Sequence, residues 1–177
     1  MHIFETVNRF GVSMEDGYHE VDYPNGHRYE GEYKDGLPNG QGISTSLEGD
    51  RYEGEWKDGK PHGKGVYTYH DGRRYEGVYK DGLLNGQGVH TDAYGNRYEG
   101  EYKDGIQNGQ GVSTEVYEGR YEGKFKDGLP NGQGIATYLD GSRYEGEWED
   151  GVPNGQGVRI YPNGSRYEGE WIDGKYQ

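Results

Sequence analysis

No cysteine occurs anywhere in this chain of 177 residues, so no disulfide framework can hold it and a small scaffold stapled by bridges is excluded. Apolar residues are scarce too. They make up 29% of the sequence, and no window approaches the ~20 apolar residues of a membrane-spanning helix. The first residues, MHIFETVNRFGVSMEDG, do not join a basic segment to an apolar run as a signal peptide does. Clustered positive charge is also missing. Nineteen Lys and Arg against 32 Asp and Glu leave a net charge of −13, which argues against a nucleic-acid or anionic-lipid surface. The expected protein is soluble and cytoplasmic or cytoskeleton-associated.

Low hydrophobicity with high net charge describes many disordered chains. Here the aromatic residues oppose that reading, because 19 Tyr, 3 Trp and 3 Phe fall mostly at fixed phases of a repeat. The tetrad RYEG returns at Arg28, Arg51, Arg74, Arg97, Arg120, Arg143 and Arg166, a spacing of 23 residues that never slips. Residues 28–165 form six full units, and residues 166–177 a C-terminal half-unit. Residues 1–27 read as a degenerate capping repeat, with Phe10 in phase with Tyr33 and the YPNG of Tyr23–Gly26 returning at Tyr161–Gly164.

Within a unit, Tyr29, Gly31 and Tyr33 alternate with Arg28, Glu30 and Glu32, a period of two that specifies a strand. KDGLPNG then supplies Asp-Gly and Asn-Gly around a proline, which reads as turn chemistry. A second strand follows, with a β-branched residue always at its third position (Ile43, Val66, Val89, Val112, Ile135, Val158). A short turn leads back to RYEG. The expected fold is all-β: an elongated, single-layer, twisted antiparallel meander of stacked β-hairpins, one per repeat.

Two rings per hairpin share one face, separated by glycine: Tyr52/Trp56, Tyr75/Tyr79, Tyr98/Tyr102, Tyr121/Phe125 and Tyr144/Trp148, besides Tyr29/Tyr33 and Tyr167/Trp171. Such rings give an apolar layer without aliphatic residues. The opposite face, Arg-x-Glu-x-Glu-x-Lys, reads as a solvated charge ladder. Its paired carboxylates recur in every unit where nothing excludes water, so they do not specify acid–base catalysis. The six histidines show no metal-ligand spacing, and GQGISTSLEG lacks the Lys-Ser/Thr and helix of a phosphate loop. No catalytic residue, metal or cofactor is expected.

The pattern Tyr-x-Gly-x-aromatic-x-x-Gly-x-x-x-Gly-x-Gly at a period of 23 closely resembles the MORN repeat over residues 28–174, and weakly over residues 15–27. Val78 and Lys124 depart from it by replacing the Glu after YEG, and VYEG at Val116–Gly119 places its turn glycine one residue late. The resemblance implies a twisted sheet of hairpins acting as a non-enzymatic scaffold or adaptor. The expected partner is a helical or extended protein segment lying along the aromatic face. The expected binding residues are Tyr52, Trp56, Tyr75, Tyr79, Tyr98, Tyr102, Tyr121, Phe125, Tyr144 and Trp148, and self-association through a sheet edge or terminal repeat is compatible with them. The alternatives are a phospholipid tether, which the net charge disfavours, and a secreted carbohydrate-binding repeat. Carbohydrate-binding repeats use adjoining aromatics such as WYY, which this chain lacks.

Overall fold

The computed structural model describes residues 15–177, all of it strand, turn and connecting segment. Phe10 and its expected place in a capping repeat lie outside the described residues. No helix among these residues is long and apolar enough to cross a membrane.

The chain divides into two compact units, one ending at Asn85 and the other running from Gly86 to Gln177. The first contains β1 (Gly17–Asp22), β2 (Arg28–Lys34), β3 (Leu37–Thr45), β4 (Arg51–Lys57), β5 (Lys60–Thr68) and β6 (Arg74–Lys80). The boundary falls inside β7 (Leu83–Thr91). The second unit continues with β8 (Arg97–Lys103), β9 (Ile106–Glu115), β10 (Gly119–Lys126), β11 (Leu129–Tyr138), β12 (Arg143–Glu149), β13 (Val152–Ile160), β14 (Arg166–Ile172) and β15 (Lys175–Tyr176). Within each unit the strands follow chain order and pair antiparallel with their neighbours, so each is an all-β meander.

The turn chemistry divides differently from the sequence expectation. Only Asp35 and Gly36 form the hairpin turn, with φ of 51° and 74°, the pair of positive values that a two-residue type I′ turn requires. Leu37 already belongs to β3. Asn39-Gly40 makes no second turn but a bulge. Gly31 pairs with Gly42 and Tyr33 with Pro38, so Asn39, Gly40 and Gln41 face the single residue Glu32. The same slip recurs at Gly54/Trp56, Gly100/Tyr102, Gly123/Phe125 and Gly146/Trp148. The physical reason is that a positive φ at glycine, 93° at Gly40, suits a bulge as well as a turn, and a bulge bends the strand without ending it.

The bulge leaves ladder donors without strand partners, and the second Glu of three RYEGE segments satisfies one of them. Glu32 Oε1 accepts from the Gln41 N–H at 3.1 Å, Glu55 from Lys64 at 2.8 Å and Glu101 from Gln110 at 3.1 Å. Successive repeats are also tied at the turn edge. The Gly59 N–H donates to the Pro38 carbonyl at 2.9 Å, and the equivalent bonds recur from Gly82, Gly128, Gly151 and Gly174.

Candidate functional site

The inner face is built from the tyrosine of each RYEG and the ring four residues later. In the first unit Tyr29 meets Trp56, Tyr52 meets Trp56 and Tyr79, and Tyr75 meets Tyr79, all edge to face with centroids 5.1–5.2 Å apart. In the second, Tyr98 meets Tyr102 and Phe125, Tyr121 meets Phe125 and Trp148, and Tyr144 meets Trp148 and Trp171, at 4.9–5.3 Å. Each unit therefore has a core one ring deep, in which a tyrosine touches the second ring of its own hairpin and that of the next. Edge-to-face contacts at this spacing add to the gain from area burial.

Of the expected partner-binding residues, Tyr52, Tyr75, Tyr79, Tyr98, Tyr102, Tyr121, Phe125, Tyr144 and Trp148 are buried, and Trp56 is half-buried. The hydroxyls of six of the seven RYEG tyrosines are spent within their own strands. Tyr29, Tyr52, Tyr75, Tyr98, Tyr121 and Tyr144 each donate to the carbonyl three residues on, at 2.9–3.3 Å. Burial pushes the Tyr75, Tyr98, Tyr121 and Tyr144 phenols up to about 12, because it penalises the anion. The tryptophans reach back one repeat: the Nε1–H of Trp56, Trp148 and Trp171 donates to the Gly42, Gly134 and Gly157 carbonyls at 3.0–3.2 Å. A Cβ at Gly42, Gly111, Gly134 or Gly157 would run into a tyrosine hydroxyl, so the close approach of ring to backbone requires glycine there.

These rings form the floor of surface depressions rather than their walls. In the first unit a depression of about 500 Å³ lies over Tyr29 and Trp56, flanked by Leu37, Pro38, Ser44 and Lys60. In the second, one of about 530 Å³ lies over Tyr121, Phe125 and Trp148, flanked by Leu129, Pro130, Ala136, Val152 and Pro153. The two stand four repeats apart and use the same repeat positions. The side chains that face solvent here are the aliphatic residues opening each second strand, with Leu129 47% and Val152 39% exposed. Sequence reasoning named the rings and did not name these aliphatic residues. Their signal was the recurring Leu, Ile or Val after Asp-Gly, at Leu37, Leu83, Ile106, Leu129 and Val152.

On the opposite face each arginine is committed to the glutamate two residues on, Arg51 to Glu53 and Arg120 to Glu122 at 2.6 and 2.7 Å, in exposed pairs of small energetic worth. At the other turn edge Glu48, Asp50 and His70 come together. Asp50 Oδ1 accepts from the His70 backbone N–H at 2.9 Å and pairs with the ring Nδ1 at 2.8 Å. Asn96 Oδ1 accepts the Val116 N–H in the same way at 2.8 Å, so the arrangement is a repeat-to-repeat turn cap to which His70 adds its ring.

The irregular VYEG segment folds as an altered turn. Glu118 occupies the place where other turns carry a positive-φ glycine such as Gly49 or Gly141, and the positive φ moves to Gly119, at 116°.

Among solved structures, the chain is similar to the SAS-4 (dCPAP) TCP domain of Drosophila melanogaster in complex with a proline-rich motif of Ana2 (dSTIL), at 12% identity over 87% of this chain and 90% of that one, TM-score 0.47. It is also similar to a catalytically inactive virginiamycin B lyase from Staphylococcus aureus with quinupristin, at 13% identity, 88% and 56% coverage and TM-score 0.19. A streptogramin B lyase structure follows, at 10% identity, 86% and 68% coverage and TM-score 0.20. At TM-scores below 0.5 none of these likenesses carries an argument. No curated protein matches the chain. The MORN repeat matches it seven times, at residues 29–51, 52–73, 75–97, 98–114, 121–143, 144–166 and 167–177. Those matches cover most of the chain and coincide with hairpins of one construction, a bulged second strand and an edge-to-face ring pair, and on that basis the chain belongs to the MORN-repeat family.

Proposed function

We propose that this chain is a non-catalytic interaction scaffold that holds a protein segment in the ring-floored groove of its inner face. The observation that carries the reading is the recurrence, four repeats apart, of depressions with an aromatic floor beside exposed aliphatic residues, Leu37 in the first and Leu129 and Val152 in the second. A partner's apolar side chain gains there the burial that Leu129 and Val152 lack in the free chain, on a floor that needs no reordering. The outer face offers no such surface, since its arginines and glutamates are satisfied along their own strands. Self-association and lipid tethering have no specific observation in their favour.

The test uses the full chain and a displayed library of random twelve-residue peptides. Enriched peptides are expected to bind the Leu37→Lys/Leu129→Lys double variant on the order of tenfold more weakly and to ignore reversal of Glu122 and Glu145 to Lys. Lysine occurs naturally at the same repeat position, at Lys60 and Lys175, so the double variant keeps the fold. Binding that survives the double variant but falls with the outer-face reversals would place the partner on the other side of the sheet.

A further inference from the structure

We infer that the groove of the second unit, over Tyr121, Phe125 and Trp148, is the principal docking site, and that its occupant is a protein segment that sets an aliphatic or aromatic side chain beside a lysine or arginine. This rests on reading the groove as protein-binding, and goes beyond it by choosing one groove and one chemistry.

The first unit supplies the comparison. Its groove carries Ser44 and Lys60 at the positions of Ala136 and Val152. An ammonium group stands on its wall where the second unit has an isopropyl group, and a hydroxyl where the second has a methyl. An apolar anchor loses less water for more contact in the second unit, and a basic segment meets no like charge from the wall.

Charge on the rim points the same way. The charged residues lining the second groove are Glu115, Glu118 and Arg120. Arg120 is neutralised by Glu122 at 2.7 Å. Glu118 is exposed and has no ion pair among the described residues, and the Glu115 carboxylate accepts from the Ser113 hydroxyl at 3.4 Å. Beyond the lining, the Arg159 guanidinium lies over the Tyr138 and Tyr161 rings, and its Nη2 donates to Ser142 Oγ at 3.3 Å. The groove is therefore apolar below and anionic at one edge.

The turn that brings Glu118 there is the one departing from the repeat. The same place in the first unit is Gly26, with φ of 81°. Val116 and Tyr117 beside it are 45% and 80% exposed. The Glu118 N–H donates to the Glu115 carbonyl at 3.3 Å within the turn, while its carboxylate makes no ion pair among the described residues and would be uncommitted to a cation approaching over Trp148. Such rim charges steer encounter and select partners more than they add affinity.

The same twelve-residue library, selected on the full chain, tests the inference. Selected peptides are expected to place Lys or Arg within about three residues of Leu, Ile, Phe or Trp, as charge at the rim of an apolar pocket demands. For the best synthetic peptide, Val152→Lys should weaken binding on the order of tenfold. Glu115→Gln/Glu118→Gln should weaken it about fivefold and flatten its salt dependence. Lys60→Val should leave it unchanged. Circular dichroism of each variant, matched to the parent, keeps loss of binding separate from loss of fold. Selected peptides without a basic bias would overturn the inference. So would peptides whose binding the single variant Leu37→Lys abolishes but Val152→Lys spares, which leaves the groove reading standing and this choice of groove refuted. A library yielding no binder refutes both readings. A dimer in sedimentation that Val152→Lys dissociates would seat a second copy of the chain in the groove and refute the basic segment.

Discussion

The inner-face tyrosines meet two hydroxyl fates. The Tyr144 hydroxyl, on a fully buried ring, donates to the Glu147 carbonyl at 3.0 Å. Tyr79, at the position where Trp56 and Trp148 reach the preceding repeat's carbonyl, buries a hydroxyl with no hydrogen-bond partner among the described residues. Tyr144→Phe should therefore lower stability by about 1 kcal/mol, since it removes a hydrogen bond made by a fully buried ring, while Tyr79→Phe should be neutral or stabilising because it removes an unmet polar group. Urea midpoints of the two variants check this, and equal losses would contradict it. The burial that raises the phenol values has a pH consequence. Folded-state values of about 12 at Tyr75, Tyr98, Tyr121 and Tyr144 exceed the unfolded value near 10. Their stabilising contribution is complete below pH 10 and is lost as pH rises from about 10 to about 12. Tyrosinate absorbance and the far-ultraviolet strand signal should change together in that window. Tyrosinate appearing with the fold intact would show that the phenols ionise in place.

At the scale of the hairpin, the determinants are the ring pair, the close-packed glycines and the glutamate that closes the bulge. A Cβ at Gly134 would strike the Tyr121 hydroxyl and ring, so Gly134→Ala should cost about 3 kcal/mol or prevent folding of its hairpin. Val78 and Lys124 stand where Glu32, Glu55 and Glu101 hold the bulge N–H. Lys124→Glu should therefore restore a side-chain acceptor for Gln133 and raise stability by about 1 kcal/mol, read as a higher urea midpoint; no gain would mean that the bulge is already satisfied. Much of this element is legible in the sequence, because alternation of Tyr, Gly and aromatic with Arg and Glu fixes strand and face together. Asn39-Gly40 misleads because the residues that make a turn also make a bulge, and only the pairing of Gly31 with Gly42 and Tyr33 with Pro38 distinguishes them. The groove walls are hidden for a related reason. Leu129 and Val152 lie one repeat apart in sequence, and only the sheet sets them along one depression.

For the molecule, the repeat gives each unit a core that is one file of rings, with no second layer behind it among the described residues. On the proposed reading, a face that packs its own aromatics this fully offers a partner the spaces between hairpins, and binding and folding would then depend on different side chains. The three tryptophans report on that division directly, because each donates its indole N–H from a different setting. Trp56 floors the first groove and Trp148 the second, while Trp171 packs against Tyr176. The most direct measurement is a ¹H–¹⁵N correlation spectrum of the full chain, titrated with a peptide selected from the random library. The account predicts that the Trp148 indole signal moves most, Trp56 less and Trp171 hardly at all. Three stationary indole signals, with shifts confined to backbone amides of the outer-face residues Glu122 and Glu145, would contradict it.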